Sequence, residues 1–347
     1  MPPARLALAL LGVGLAFLLL PEAAHAWTPG THIYLGESVL ANLPALPAAV
    51  ADLLRAYPFD FLYGNIAADS SIAKRYAPLG RHCHYWHVGQ EIHDLADTDA
   101  LRAFGLGYLC HLSADTVAHN YFVPRQLMLT STTAAVGHSY WETRVETHLG
   151  DAYSRAAKDV IRLDHSEADA HLDRLIAPTI FSVRTNRRLF RGMVHLTETN
   201  SWQRVTRVAR EYSRWRLADN DVERHLGLAY DFMMELLGGP TPSAQQLDPS
   251  GERPLKMAKE LRRRVLRETG RRRSSTRLQD AAQEHFGLPD RPHTFWTRIQ
   301  HRLPWRAPEG SAPSPRVLVN GDRWTVPDDI AAVPDDFGGK AALLVIP

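Results

Sequence analysis

Residues 101–122 read LRAFGLGYLCHLSADTVAHNYF. Apolar side chains recur in this stretch at three- and four-residue intervals, the repeat of one face of an α-helix, over a length that strands do not reach. The same spacing returns from Val222 to Leu237, and alternating strand patterns are nearly absent between Trp27 and about Leu237. The region therefore reads as all-α. Breaks are expected at Pro58, at the Pro78-Leu79-Gly80 turn, at Pro124 and at Pro178, and Gly238-Gly239-Pro240 ends the last strongly apolar helix.

The same stretch carries chemistry. His111, Asp115 and His119 follow one another at four-residue steps, which stacks them on one helical face with neighbours about 6 Å apart. Metal–ligand bonds are only about 2 Å long, so His111 and His119 are too far apart to share one ion. The carboxylate between them has two oxygens and can bridge two. A cluster is expected rather than a single site.

Working outward, four more segments supply donors of the same kinds. His138 and Glu142 are again four apart in Gly-His-Ser-Tyr-Trp-Glu and can chelate from one helical turn. Arg81 to His87 carries His82, His84 and His87 beside Trp86, Asp69 closes Gly64-Asn-Ile-Ala-Ala-Asp69, and His32 lies further upstream. Imidazole and carboxylate without thiolate suit zinc in a hydrolytic cluster, and the ligand types also admit manganese or iron.

The ends of the chain read differently. Residues 1–26 hold one cation, Arg5, an apolar run from Leu6 to Leu20, and Ala24-His25-Ala26. This is the pattern of a secretory signal peptide, and its apolar run is short for a membrane span. Cleavage after Ala26 would leave Trp27 first in an exported chain, periplasmic or secreted. In that oxidising setting Cys83 and Cys110 either pair or remain buried thiols. Residues 27–244 form the helical domain, and 245–347 an appendage. The appendage opens with a basic helix, in which Arg253 to Arg277 hold eleven Lys or Arg against two Glu. A Pro-rich stretch from Leu303 to Pro315 and a tail with up to two short strands follow. With 45% hydrophobic and 22% charged residues and a net charge of +2, the chain is no disordered, collagen-like or polytopic membrane protein. Two cysteines rule out a disulfide scaffold and an all-cysteine zinc site.

Taken in order, these elements resemble the bacterial zinc-dependent phospholipase C family. The resemblance implies an all-helical domain, three zinc ions, and an N-terminal Trp that ligates metal through its amino group and carbonyl. Trp27 becomes that residue once the signal peptide is removed. It further implies one zinc held by Asp69, His84, His111 and Asp115, a second by Trp27, His32 and the other face of Asp115, and a third by His119, His138 and Glu142. Asp69 is the implied proton acceptor in phosphodiester hydrolysis, which on a phospholipid releases diacylglycerol and a phosphorylated head group. The partner implied is a phospholipid substrate or membrane surface; no protein partner is expected. The family spaces its next histidine six residues after the bridging aspartate, and here the step from Asp115 to His119 is four. Either the third zinc sits differently or the helix runs further.

Three other readings share parts of the pattern. Trinuclear zinc nucleases also begin with Trp and act on nucleic acid, but usually close with Asp where this chain has Glu142. An HD-type phosphohydrolase is suggested by His93-Asp94, and leaves Trp27, His138 and Glu142 unexplained. The last is an exported helical metal-binding protein without turnover. The basic run suits either polyanion, a phosphate backbone or an anionic membrane.

Overall fold

The computed structural model describes residues 27–130, 134–197, 211–213, 215–239, 242–270 and 274–296. The proposed signal segment, the Pro-rich stretch and the final tail lie outside them. Every regular element among the described residues is helical, and no helix there is long and apolar enough to cross a membrane.

The chain opens with α1 (Pro29–Leu40), α2 (Ala48–Ala56) and α3 (Pro58–Ala67), then reaches α4 (Trp86–Asp94) through a long loop. Pro58 stands at the first turn of α3, where a missing amide proton costs nothing. The quoted stretch lies in α5 (Asp99–Val117), whose first turn is capped by Thr98 Oγ1 accepting from the Leu101 amide at 3.2 Å. Periodicity suggests one apolar face, but α5 is buried nearly all round from Ala103 to Val117, as befits a central helix.

The expected break at Pro124 does not occur. After Val117 the helix widens into a π turn, Ala118–Phe122, and resumes as α6 (Val123–Leu129). Proline inside an α-helix clashes with the carbonyl four residues back and cannot donate to it. A wider turn just before Pro124 moves that carbonyl aside, so the rod continues with a local defect.

Helices α7 (Ala134–Leu149), α8 (Asp151–Arg162), α9 (Ser166–Leu175), α10 (Val183–Thr197) and α11 (Asp219–Gly238) complete the domain around one core. Its largest fully buried side chains include Trp27, Trp141, Tyr63, Tyr108 and Phe104. Each such side chain contributes on the order of 2 kcal/mol by leaving water.

Where one basic helix was expected after residue 245, there are two, α12 (Glu252–Thr269) and α13 (Ser274–Phe286). Gly270, at φ +67°, ends the first in a conformation that L side chains avoid. Both pack on α6 through a small second core of Met128, Ala258, Leu278, Ala282 and Phe286. The stretch that follows is anchored by Asp231 on α11, whose buried carboxylate accepts the amides of Thr294, Phe295 and Trp296 at 2.7–2.9 Å.

Candidate metal centre

The centre begins where α3 crosses α5. Gly64 and Gly107 meet there with no side chain between the backbones: a Cβ on either would lie 2.1 Å from a carbonyl oxygen of the other helix. So close a crossing brings the Asn65 carbonyl within 2.7 Å of His111 Nδ1. It also delivers Asp69, in the 3-10 turn Ala68–Ser70 at the end of α3, to the side chains of α5. His84 arrives from the loop before α4 and His32 from α1.

Asp69, His84, His111 and Asp115 converge, all buried. His84 Nε2 is 3.1 Å from His111 Nε2, 3.1 Å from Asp115 Oδ2 and 3.3 Å from Asp69 Oδ1. His111 Nε2 is 3.1 Å from Asp115 Oδ2 and 3.8 Å from Asp69 Oδ1. A tetrahedral zinc with bonds of 2.0–2.1 Å separates its ligands by about 3.3 Å, so these edges outline a zinc-sized tetrahedron. The other oxygen of Asp115 faces His32 Nε2 at 3.2 Å. Its two oxygens thus look to opposite sides, the disposition a bridging carboxylate needs.

The donors also present the right atoms. With Nδ1–H of His111 spent on the Asn65 carbonyl, its Nε2 keeps a lone pair toward the centre, the usual outer support of a metal-ligating histidine. Both nitrogens of His32 are buried without a hydrogen bond, as are both oxygens of Asp115. Burial lowers the pKa of His32 to about 4, so its imidazole is neutral at pH 7 and free to ligate. Burial alone would raise that of Asp115, yet His111, His32 and His84 hold it well below the carboxylate range. Burial works against charge on His84 also, but Cys83, Asp115 and Asp69 push its pKa well above 6.5. The residues fit zinc.

A second donor set lies alongside. His119, His138 and Glu142 bring ligand atoms within 4.8 Å of one another, with His138 Nε2 2.6 Å from Glu142 Oε1 across one turn of α7. His119 is in the π turn, so the helix does run past Asp115. Its ring centroid is 6.4 Å from that of His84 and 5.1 Å from that of His138. The three donors spaced by four on the α5 rod are therefore divided between the two sets, as their separation requires. His119 Nδ1–H donates to the Pro249 carbonyl at 2.6 Å, leaving Nε2 buried without a hydrogen bond. Burial lowers its pKa to about 3, again leaving a neutral imidazole.

Residues 31–185 match the family model described as zinc dependent phospholipase C. This segment is similar to the zinc-dependent phospholipase C family. No curated protein and no solved structure matches the chain. The matched segment holds every donor discussed above. Trp27 lies just before it, its indole stacked on Phe122 and donating to the Ala114 carbonyl at 3.0 Å, next to Asp115.

Of the three neighbouring histidines, His84 joins the first set. His82 accepts the His84 amide at 3.1 Å, and His87 is exposed and turned to the Gly80 carbonyl. His93 and Asp94 form a surface pair at the end of α4, apart from both donor sets, which removes the basis of the HD-type reading. Cys83 and Cys110 are both buried free thiols. Cys83 Sγ sits 3.2 Å from His84 Nδ1, on the far side of that ring from the cluster.

Two elements of the centre escaped the sequence reading. Lys74 is buried with Nζ 2.8 Å from Asp69 Oδ1 and 3.2 Å from His84 Nε2. Burial disfavours its charge, but Asp69, Cys83 and Asp115 carry its pKa above the ordinary lysine value. Ala73, the one non-glycine residue at positive φ among the described residues, turns the chain just before it, at a backbone cost of about 1 kcal/mol. The available signal was that Lys74 is the sole lysine between residues 27 and 150. The other is the strap 247–251. Leu247 O accepts from Trp86 Nε1, Asp248 O from Asn120 and Pro249 O from His119. Gly251, at φ +71°, lies so near the His119 ring that a Cβ would come within 2.7 Å of it.

Lys74→Met removes one cation from a wall that already contains two carboxylates. The metal-free variant should be less stable by about 3–5 kcal/mol, since the buried carboxylate of Asp69 loses its lysine partner. Zinc should bind it at least tenfold more tightly. Thermal melts with and without zinc check this, and an equal zinc-induced stabilisation in variant and parent would refute it.

Proposed function

We propose that the chain is a zinc-dependent phospholipase C, an exported phosphodiester hydrolase that cleaves glycerophospholipids to diacylglycerol and a phosphorylated head group. The observation carrying this reading is the tetrahedral outline of Asp69, His84, His111 and Asp115 inside the family-matched segment. One zinc is assigned to those four residues. A second is assigned to His32, the other oxygen of Asp115, and Trp27 after removal of residues 1–26. The third is assigned to His119, His138 and Glu142. Bound there, zinc supplies Lewis acidity and a water acidified to near neutrality.

The chain's own residues do the rest. Asp69 is the proton acceptor, and Lys74 beside it keeps it ionised and ready. Lys74 also lowers the basicity of Asp69, which favours passing the proton on. His119, held by Pro249 and Gly251, keeps its lone pair directed into the centre.

Metal analysis of purified protein lacking residues 1–26 should find close to three zinc ions. The same preparation should hydrolyse phosphatidylcholine and leave single-stranded DNA intact. Cleavage of the DNA with no action on any phospholipid would replace this reading with the nuclease. Bound zinc with neither activity would replace it with the non-catalytic metal-binding protein.

A further inference from the structure

The loop that joins α3 to α4 has both its ends in the metal centre, at Asp69 and His84, and its middle in solvent. Lys74 points inward from it, whereas Tyr76 is half exposed and Leu79 entirely so at the Pro78-Leu79-Gly80 turn. Gly80, at φ +74°, makes that turn sharp. A second loop, 176–182 between α9 and α10, runs beside the first. Thr179 Oγ1 donates to the Ile72 carbonyl at 2.6 Å and Arg81 to the Leu175 carbonyl at 2.7 Å. This loop exposes Ile180 and Phe181.

Four of the eight large apolar side chains most exposed among the described residues are therefore on two abutting loops. Leu189, on the adjoining α10, is a fifth. Such grouping at a surface marks a contact site rather than chance exposure. The helix beside it is positive. α10 carries Arg184, Arg187, Arg188 and Arg191 with no carboxylate in its sequence, and the acids facing it are Asp169 and Asp173.

We propose that the tips of loops 70–84 and 176–182, with the outer face of α10, form a lipid-binding surface that seats the protein on an anionic phospholipid bilayer. Leu79 and Ile180 offer nothing to a polyphosphate but dissolve in the acyl boundary. Tyr76 and Phe181 suit the headgroup level, where aromatic rings collect. Arg184 and Arg188, the exposed arginines of α10, face the negative surface, while Arg187 is buried against Asp169 and Asp173 and Arg191 is held by Asp169. Shallow apolar insertion combined with basic attraction is the pattern of interfacial binding. Because the inserted loop is tethered at Asp69 and His84, docking brings the bilayer to the side of the molecule on which the centre's own loop emerges. The proposal deepens the phospholipase reading and rests on it for the purpose of docking, though not for the binding itself.

The test uses zinc-loaded protein and vesicles of equal parts phosphatidylcholine and phosphatidylglycerol, with binding measured by co-sedimentation. The double variant Leu79→Asp, Ile180→Asp should bind vesicles at least tenfold more weakly and hydrolyse their lipid correspondingly less. Its hydrolysis of a short-chain phosphatidylcholine kept below its micelle concentration should be unchanged, as should its zinc content and melting temperature. Met257→Asp, at an exposed apolar position on the basic helix α12, serves as the control and should bind like the parent. Vesicle binding by the double variant equal to the parent overturns the proposal, as does loss in Met257→Asp alone. A parent that binds vesicles but hydrolyses neither substrate leaves the docking surface standing and refutes the phospholipase reading. A parent that hydrolyses the short-chain lipid but never binds vesicles does the reverse.

Discussion

Asp115→Asn is expected to empty two metal positions together and to lower phosphodiester hydrolysis at least a hundredfold. The carboxylate presents Oδ2 to His84 and His111 and Oδ1 to His32. An amide of the same shape turns an uncharged NH2 group to one side and offers the other only a neutral oxygen, so both faces lose the anion that held their ion. Loss of outer-sphere support alone costs a metal site about 10- to 100-fold in affinity, and removal of a bridging anion costs more. Zinc content measured on the dialysed variant checks this, with hydrolysis of a chromogenic phosphocholine diester as the second readout. Loss of a single ion would show that Asp115 serves one position and does not bridge.

Gly107→Ala should be nearly as damaging without touching a donor. The added methyl group would lie 2.1 Å from the Phe61 carbonyl oxygen and near the Cα of Gly64. Backbone cannot yield as a side-chain tip does, so α3 and α5 must part. Overpacking a core costs about 1–3 kcal/mol when side chains can shift. Here the expected loss is larger, about 4 kcal/mol, in the range reserved for severe lesions. Separation of the helices also withdraws Asn65 from His111 and Asp69 from the cluster, so zinc affinity should fall with stability. Urea denaturation of the metal-free protein measures the first effect and a zinc titration the second. Gly192→Ala on α10, where a Cβ meets nothing within 4 Å, is the control and should be neutral or slightly stabilising. A Gly107→Ala protein as stable as its parent would mean that the crossing is looser than described.

Much of this architecture was legible before folding was considered. Donors four residues apart, His111 with Asp115 and His138 with Glu142, meet because one helical turn brings them together wherever the helix lies. The same is true of the apolar repeat that made α5 a helix. The reading was weaker where a local rule met a tertiary exception. Pro124 reads as a break, and only the wide turn before it shows how the helix survives. A long basic run reads as one helix, and Gly270 divides it.

Lys74 and the strap 247–251 were missed for a different reason. Neither is near the donors in a pattern that a helix or strand would repeat. Lys74 reaches Asp69 by way of a left-handed residue in an irregular loop, and the strap closes on His119 from 130 positions away. Gly64 was noticed as a neighbour of Asp69, but that it must be glycine follows only from its contact with α5.

Residue order alone was enough to establish a helical chain carrying paired imidazole and carboxylate donors, because covalent spacing and the 3.6-residue repeat are local properties. Which donors share one centre, which oxygen of Asp115 faces which histidine, and which cation stands beside Asp69 were settled only in the folded chain. Those relations depend on segments distant in sequence being packed to within hydrogen-bonding distance, and packing of that kind is decided by the close crossing of backbones and the shapes of buried side chains.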